Sequence, residues 1–162
     1  MKQVFAIIIF SLTGLLFGCD NPAVSLYDRN IQAVIQQHTD VWSDGNLDLI
    51  SSIYTQDYIG HFPGGQTVNG RDGIKSFVES HRISFPDWKE VVVETISEGD
   101  RVVSRYQSTG THQGTFIGIP PTGIVVDVPE TSVYRMVDGQ IAEQWAFPDV
   151  VSLQQQLSSG QQ

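Results

Sequence analysis

From Leu26 onward, apolar residues recur at Ile31, Val34, Ile35, Val41 and Trp42, three, four and seven positions apart. That spacing places them on one stripe of an amphipathic helix, which Asp44-Gly45-Asn46 ends. His38 lies on the same stripe. A shorter helix is expected over residues 47–54, with Leu47, Ile50 and Tyr54 at helical spacing. Residues 58–62 read as a short strand closed by Pro63-Gly64-Gly65. After Asn69-Gly70, a third helix carries Ile74, Phe77, Val78 and His81 toward Phe85, and Pro86 stops it. Two hairpins follow, residues 88–97 with 102–112 across Glu98-Gly99-Asp100, and residues 125–137 with 140–147 across Asp138-Gly139. A last helix is predicted over residues 149–157, with residues 158–162 as a disordered tail. Helices joined to two long hairpins predict an α+β layered domain.

Composition removes several functions. The chain has 162 residues and a formal charge of −9, with no Lys/Arg cluster, so nucleic acid and anionic lipid surfaces are poor partners. Its first residues have another purpose. Lys2, an apolar run from Val4, and Leu16-Phe17-Gly18-Cys19 have the layout of an export signal. Cys19 is the only cysteine, so no disulfide forms within one molecule. Leu16-Phe17-Gly18-Cys19 resembles a bacterial lipobox, which implies that Cys19 is lipidated. The expected layout is a lipoprotein signal peptide at 1–18, a tether at 19–27 and one domain at 28–157. The protein would be lipid-anchored on the periplasmic side, at the inner membrane if Asp20 acts as the retention signal it resembles.

The four histidines, at 38, 61, 81 and 112, include no i, i+4 pair and no His-x-His, so no metal or cofactor is predicted. Strand alternation puts Glu130, Ser132, Tyr134 and Met136 on one face. In the last strand Ala142, Gln144 and Ala146 oppose Ile141, Glu143, Trp145 and Phe147. A carboxylate in an apolar cavity holds its proton more tightly, which makes Glu130 the best acid/base candidate. In the pocket that a family resemblance implies, His38, Tyr58, His112, Ser132, Tyr134, Gln144 and Ala146 are the expected substrate contacts, and His61 a second catalytic candidate. Ile141, Trp145 and Phe147 would then form an apolar outer patch, which predicts a homodimer.

Gly110-Thr111-His112-Gln113-Gly114-Thr115-Phe116-Ile117-Gly118-Ile119-Pro120-Pro121-Thr122-Gly123 is a Gly- and Pro-punctuated loop that shapes its surroundings. Together with Phe85-Pro86-Asp87 and the stretch from Asp138 to Trp145, it resembles the SnoaL-like polyketide (ester) cyclase family. The resemblance covers residues 28–157. It implies the cone-shaped, curved antiparallel sheet of the nuclear-transport-factor-2-like superfamily, with helices on its concave face and a pocket between. It also implies a proton-transferring Asp three residues before Asp149, where this chain has Ala146. The family's His and Gln on the preceding strand fall on Ser132 and Glu130, and an Asn or His on the first strand falls near His61. Ring-closing cyclase chemistry is therefore not expected, since alanine cannot take a proton. The expectation is an isomerase, lyase or hydrolase acting on a small apolar molecule. A non-catalytic ligand-binding lipoprotein and a dimeric structural module are the alternatives.

Overall fold

The computed structural model describes residues 22–159, with side chains from residue 26. Cys19, the expected signal peptide and residues 160–162 lie outside them.

Helix α1 (Pro22–Gln36) already occupies most of the segment expected as tether. Its proline sits at the first helical position, where the missing N–H costs nothing. The helix continues in wider π turns over Gln37–Ser43. There residues four apart share a face, so Val34, His38 and Trp42 all point inward, joined by Gln37 and Val41. A 3₁₀ turn (Leu47–Leu49) and α2 (Ile50–Ile53) follow. Strand β1 (Tyr54–Phe62) starts four residues earlier than predicted, taking Tyr54 from the helix. A short unpredicted strand, β2 (Gln66–Asn69), precedes α3 (Gly70–Ser84). The rest follows the expected order: β3 (Lys89–Glu98), β4 (Arg101–Thr111), β5 (Val125–Val137), β6 (Gln140–Pro148) and α4 (Val150–Ser159). Helix α4 takes in Ser158 and Ser159, the first residues of the expected tail.

The strands form one open, curled sheet in the order β2-β1-β6-β5-β4-β3. Every neighbouring pair is antiparallel except β1 and β6, which run parallel. Val34, Val41 and Trp42 from the first helix, Ile74 and Val78 from α3, and Leu153 and Leu157 from α4 share a core with Tyr54, Tyr58, Val102, Val128 and Tyr134 of the sheet. Each fully buried aliphatic side chain among them stabilises the fold by roughly 1.5–3 kcal/mol.

Two local features decide what faces inward. A bulge between Arg135 and Met136 pairs Met136 with Ile141, so Ile141 and Ala142 are both buried. Ile141 is therefore core, and the expected outer patch loses it. Trp145 and Phe147 stay outside the bulge's effect. The second feature is the Gly/Pro loop, which is pinned to the end of α3: Gln113 and Gly114 N–H donate to the Ser84 carbonyl at 2.8 and 3.1 Å. A Cβ on Gly114 would collide with the Ile83 carbonyl, so only glycine lets the backbones approach this closely. Phe116 is thereby stacked edge-on against Phe85, with ring centroids 5.1 Å apart.

Candidate active site

A cavity of about 360 Å³ opens between the inner face of the sheet, α3, the Gly/Pro loop and the start of α4. Trp42, Phe62, Phe77, Trp88 and Phe116 give it aromatic walls. Its polar groups are concentrated on the sheet side, where Glu90, Tyr106, Glu130 and Gln144 reach it.

Tyr106 and Glu130 are direct partners across β4 and β5, which puts both side chains on the inner face. The Tyr106 hydroxyl donates to Glu130 Oε2 at 3.1 Å and lies 3.1 Å from Ser132 Oγ. Burial, and then the nearby Glu90 carboxylate, push the Glu130 carboxyl up to about 8. The hydroxyls of Ser108 and then Tyr106 pull the other way without cancelling them. Glu130 therefore carries a proton at neutral pH and is a donor. Burial, reinforced by Glu130, raises the Tyr106 phenol well above its usual range, so it is a donor too.

Glu90 begins the second polar group. Its Oε1 accepts from the Trp88 indole N–H at 3.0 Å, and its Oε2 lies 2.6 Å from His38 Nδ1. On the far side of the imidazole, His38 Nε2 lies 2.9 Å from Ser104 Oγ and 3.1 Å from the Tyr134 hydroxyl. Gln37 continues the chain, donating to Tyr134 at 2.9 Å and accepting from Tyr54 at 2.8 Å. All of these groups are buried, and each polar atom has a partner, as burial in a low dielectric demands.

Of the residues expected from the sequence, Glu130, Gln144 and Ala146 line the cavity. Ser132, Tyr134, Tyr58 and His38 stand one layer behind. Tyr58 donates to Gln144 Oε1 at 2.9 Å, passing over Gly60, where any Cβ would strike its hydroxyl. Two expectations are corrected. His61 is on the opposite face of the sheet, because β1 pairs in parallel with β6 and sets His61 beside Trp145. There it contacts Glu143 at 2.9 Å and stacks on Trp145 at 5.3 Å. His112 is buried away from the cavity, its Nδ1 3.0 Å from Thr122 Oγ1 and its ring against Phe85.

Sequence reasoning missed Glu90, Tyr106, Trp88 and His81. Tyr106 faces Glu130 across β4 and β5, a pairing that the two predicted hairpins leave unset. His81 lies on the cavity wall, 4.4 Å from the Trp88 ring. Burial, with Arg82 adding to it, lowers His81 to about 3, so it is a neutral imidazole in ordinary conditions. No group of three or more His, Cys, Asp or Glu among the described residues is placed to hold a metal ion. No helix among them is long and apolar enough to cross a membrane.

A model of SnoaL-like polyketide cyclases matches residues 32–157. No protein of curated function matches. Among solved structures, a candidate SnoaL-like polyketide cyclase from Jannaschia sp. CCS1 is 29% identical with a TM-score of 0.77, over 83% of this chain and 94% of that one. A candidate polyketide cyclase from Acidithiobacillus ferrooxidans is 26% identical with a TM-score of 0.74, over 82% and 96%. IdmH, a candidate polyketide cyclase from Streptomyces antibioticus, is 26% identical with a TM-score of 0.70, over 80% and 98%.

Proposed function

The chain belongs to the SnoaL-like polyketide cyclase family, and we propose that it is an exported, lipid-anchored member that moves protons on a small, largely apolar carbonyl compound. Glu130 is its general acid. One observation carries this reading: a carboxyl group whose proton is held up to about 8 sits at the cavity, fixed there by a hydrogen bond from Tyr106. An O–H donor at one side of an aromatic cavity, its carboxyl held by the Tyr106 hydroxyl, suits a carbonyl oxygen, which gains negative charge as an adjacent C–H is broken. A volume of about 360 Å³ is at the small end of ligand pockets, which suits a molecule of one or two rings. Ala146 removes the family's ring-closing base, so isomerisation, elimination or hydrolysis is favoured over cyclisation.

β-Tetralone, a two-ring ketone, tests this directly. The soluble domain should speed deuterium uptake at its α-carbon, followed by proton NMR in D₂O, and Glu130→Gln should lose most of that rate. Ala146 also favours a second reading, a binding protein that kept the pocket and gave up chemistry. That reading gains if the ketone binds but does not exchange. The anchor rests on Cys19 at a lipobox-like site; Cys19→Ser should leave an unprocessed precursor or a protein lost from the membrane fraction. Unchanged membrane retention, with an unmodified wild-type N-terminus by mass spectrometry, would remove it.

A further inference from the structure

An acid alone does not enolise a ketone, because a base must take the carbon-bound proton. Ala146 has no such group, His61 is on the outer face, and His112 is outside the cavity. His81 lines the cavity, but it is packed among the rings of Trp42, Phe85, Trp88 and Phe116. Glu90 is the one carboxylate besides Glu130 among the described residues that line the cavity.

We propose that Glu90 is the base of this pocket and that His38, behind it, is its positioning residue, so that Glu90 and Glu130 act as a base and acid pair on an enolisable ketone. The proposal rests on the acid role assigned to Glu130 above.

The sheet register brings the pair together. Glu90 pairs with Ser108 and Glu130 with Tyr106, two residues apart on β4. The carboxyls thus approach the cavity from the strands on either side of β4. The groups holding Glu90 differ from those holding Glu130. Glu130 meets a hydroxyl, whereas Glu90 meets two N–H groups, the Trp88 indole at 3.0 Å and His38 Nδ1 at 2.6 Å. Donors of this kind stabilise a carboxylate and fix where its oxygens point. The His38 tautomer follows from its other contacts: with Nδ1–H toward Glu90, Nε2 is free to accept from Ser104 or Tyr134, 2.9 and 3.1 Å away. The Glu90 carboxylate nearby also favours the proton staying on Glu130.

The step balances without a cofactor. A Glu90 oxygen takes the α-hydrogen as a proton, and the C–H electron pair forms the new C=C bond. The carbonyl π pair moves onto oxygen, which Glu130, itself held by the Tyr106 hydroxyl, hydrogen-bonds as it becomes the enolate. Glu90 then returns the proton to the same carbon or, in a conjugated substrate, to a more distant one, which is an isomerisation.

Elimination of nitrobenzisoxazole separates the two carboxyls. A base takes its ring proton, the N–O bond breaks, and a coloured cyanonitrophenolate is released, a leaving group that needs no acid. The soluble domain should catalyse this reaction; Glu90→Gln should lose about a hundredfold in kcat, far more than Glu130→Gln loses. Near-UV circular dichroism from Trp42 and Trp88 checks that the cavity is intact in each variant. Glu90→Asp, which keeps the carboxylate on a shorter stem, should recover part of what Glu90→Gln loses, as a purely structural role for Glu90 would not require. His38→Gln should lower kcat about tenfold with KM unchanged. Loss of rate in Glu130→Gln with retention in Glu90→Gln would overturn the assignment and make Glu130 the base. An unchanged kcat in His38→Gln would overturn the positioning role. No elimination by the wild type would remove Glu90 as a base, and absence of β-tetralone exchange as well would remove the acid role of Glu130 with it.

Discussion

Tyr106 and Glu130 face one another across adjacent strands, hydroxyl to carboxyl at 3.1 Å, on the inner face of the sheet. The phenol cannot ionise there and the carboxyl is slow to, for the same reason: burial penalises either negative charge. The outcome is a site that donates hydrogen bonds at neutral pH although one of its members is an acid.

This proton has a consequence for stability. Glu130 binds it more tightly in the folded protein than in the unfolded chain, so its stabilising effect is complete below about pH 4.5 and is lost as pH rises toward about 8. His81 acts in the opposite sense, since folding lowers it from 6.5 to about 3 and stability is lost as pH falls through that window. The two slopes oppose one another between about pH 4.5 and 6.5, leaving Glu130 alone above that. Urea unfolding of the wild type should show stability declining from pH 6.5 to 8, and Glu130→Gln should flatten the decline. A decline of equal slope in the variant would assign it to other groups.

Ala146 pairs with Ser132 on β5, two residues along from Glu130, and lines the same cavity. Ala146→Asp would add another carboxyl to a site that already holds Glu90 and Glu130. The variant should be less stable at pH 7 by roughly 1–3 kcal/mol, the usual cost of burying an ill-matched polar group. Chemical unfolding measures it, and a variant as stable as the wild type would mean that this part of the cavity is open to water.

Much of the fold was legible because the helix stripe and both hairpins follow simple periods. Glu130 was found for the same reason, since no bulge interrupts the pairing of β5 between Val126 and Tyr134. Glu90 was hidden by the opposite circumstance. Its neighbours Val91 and Val93 are apolar yet 64% and 54% exposed, so the rule that apolar residues face inward turns β3 over. His61 was misplaced because its face depends on the parallel pairing of β1 with β6, which joins elements far apart in sequence. Ile141 was misplaced because a bulge shifts the pairing of one hairpin by a residue, and nothing in Arg135-Met136 marks it.

The outer face keeps an apolar area even without Ile141. Phe147 is 60% and Val137 42% exposed, and Trp145 is half-buried beneath the Arg101 guanidinium, 5.3 Å from its ring. A second copy packed face to face would cover them. Sedimentation of residues 20–162 should show a dimer, and Trp145→Asp should shift it to monomer. A wild-type fragment that stays monomeric at high micromolar concentration would show that this face works uncovered.

The central claim is that Glu130 holds a proton at neutral pH inside the cavity, and carbon-13 NMR of side-chain-labelled glutamate, assigned with Glu130→Gln, tests it most directly. The Glu130 midpoint should lie near 8 and should fall in Glu90→Gln as the neighbouring charge is removed. A midpoint close to 4.3, the value of a solvated glutamate, would contradict it and leave the pocket without its acid.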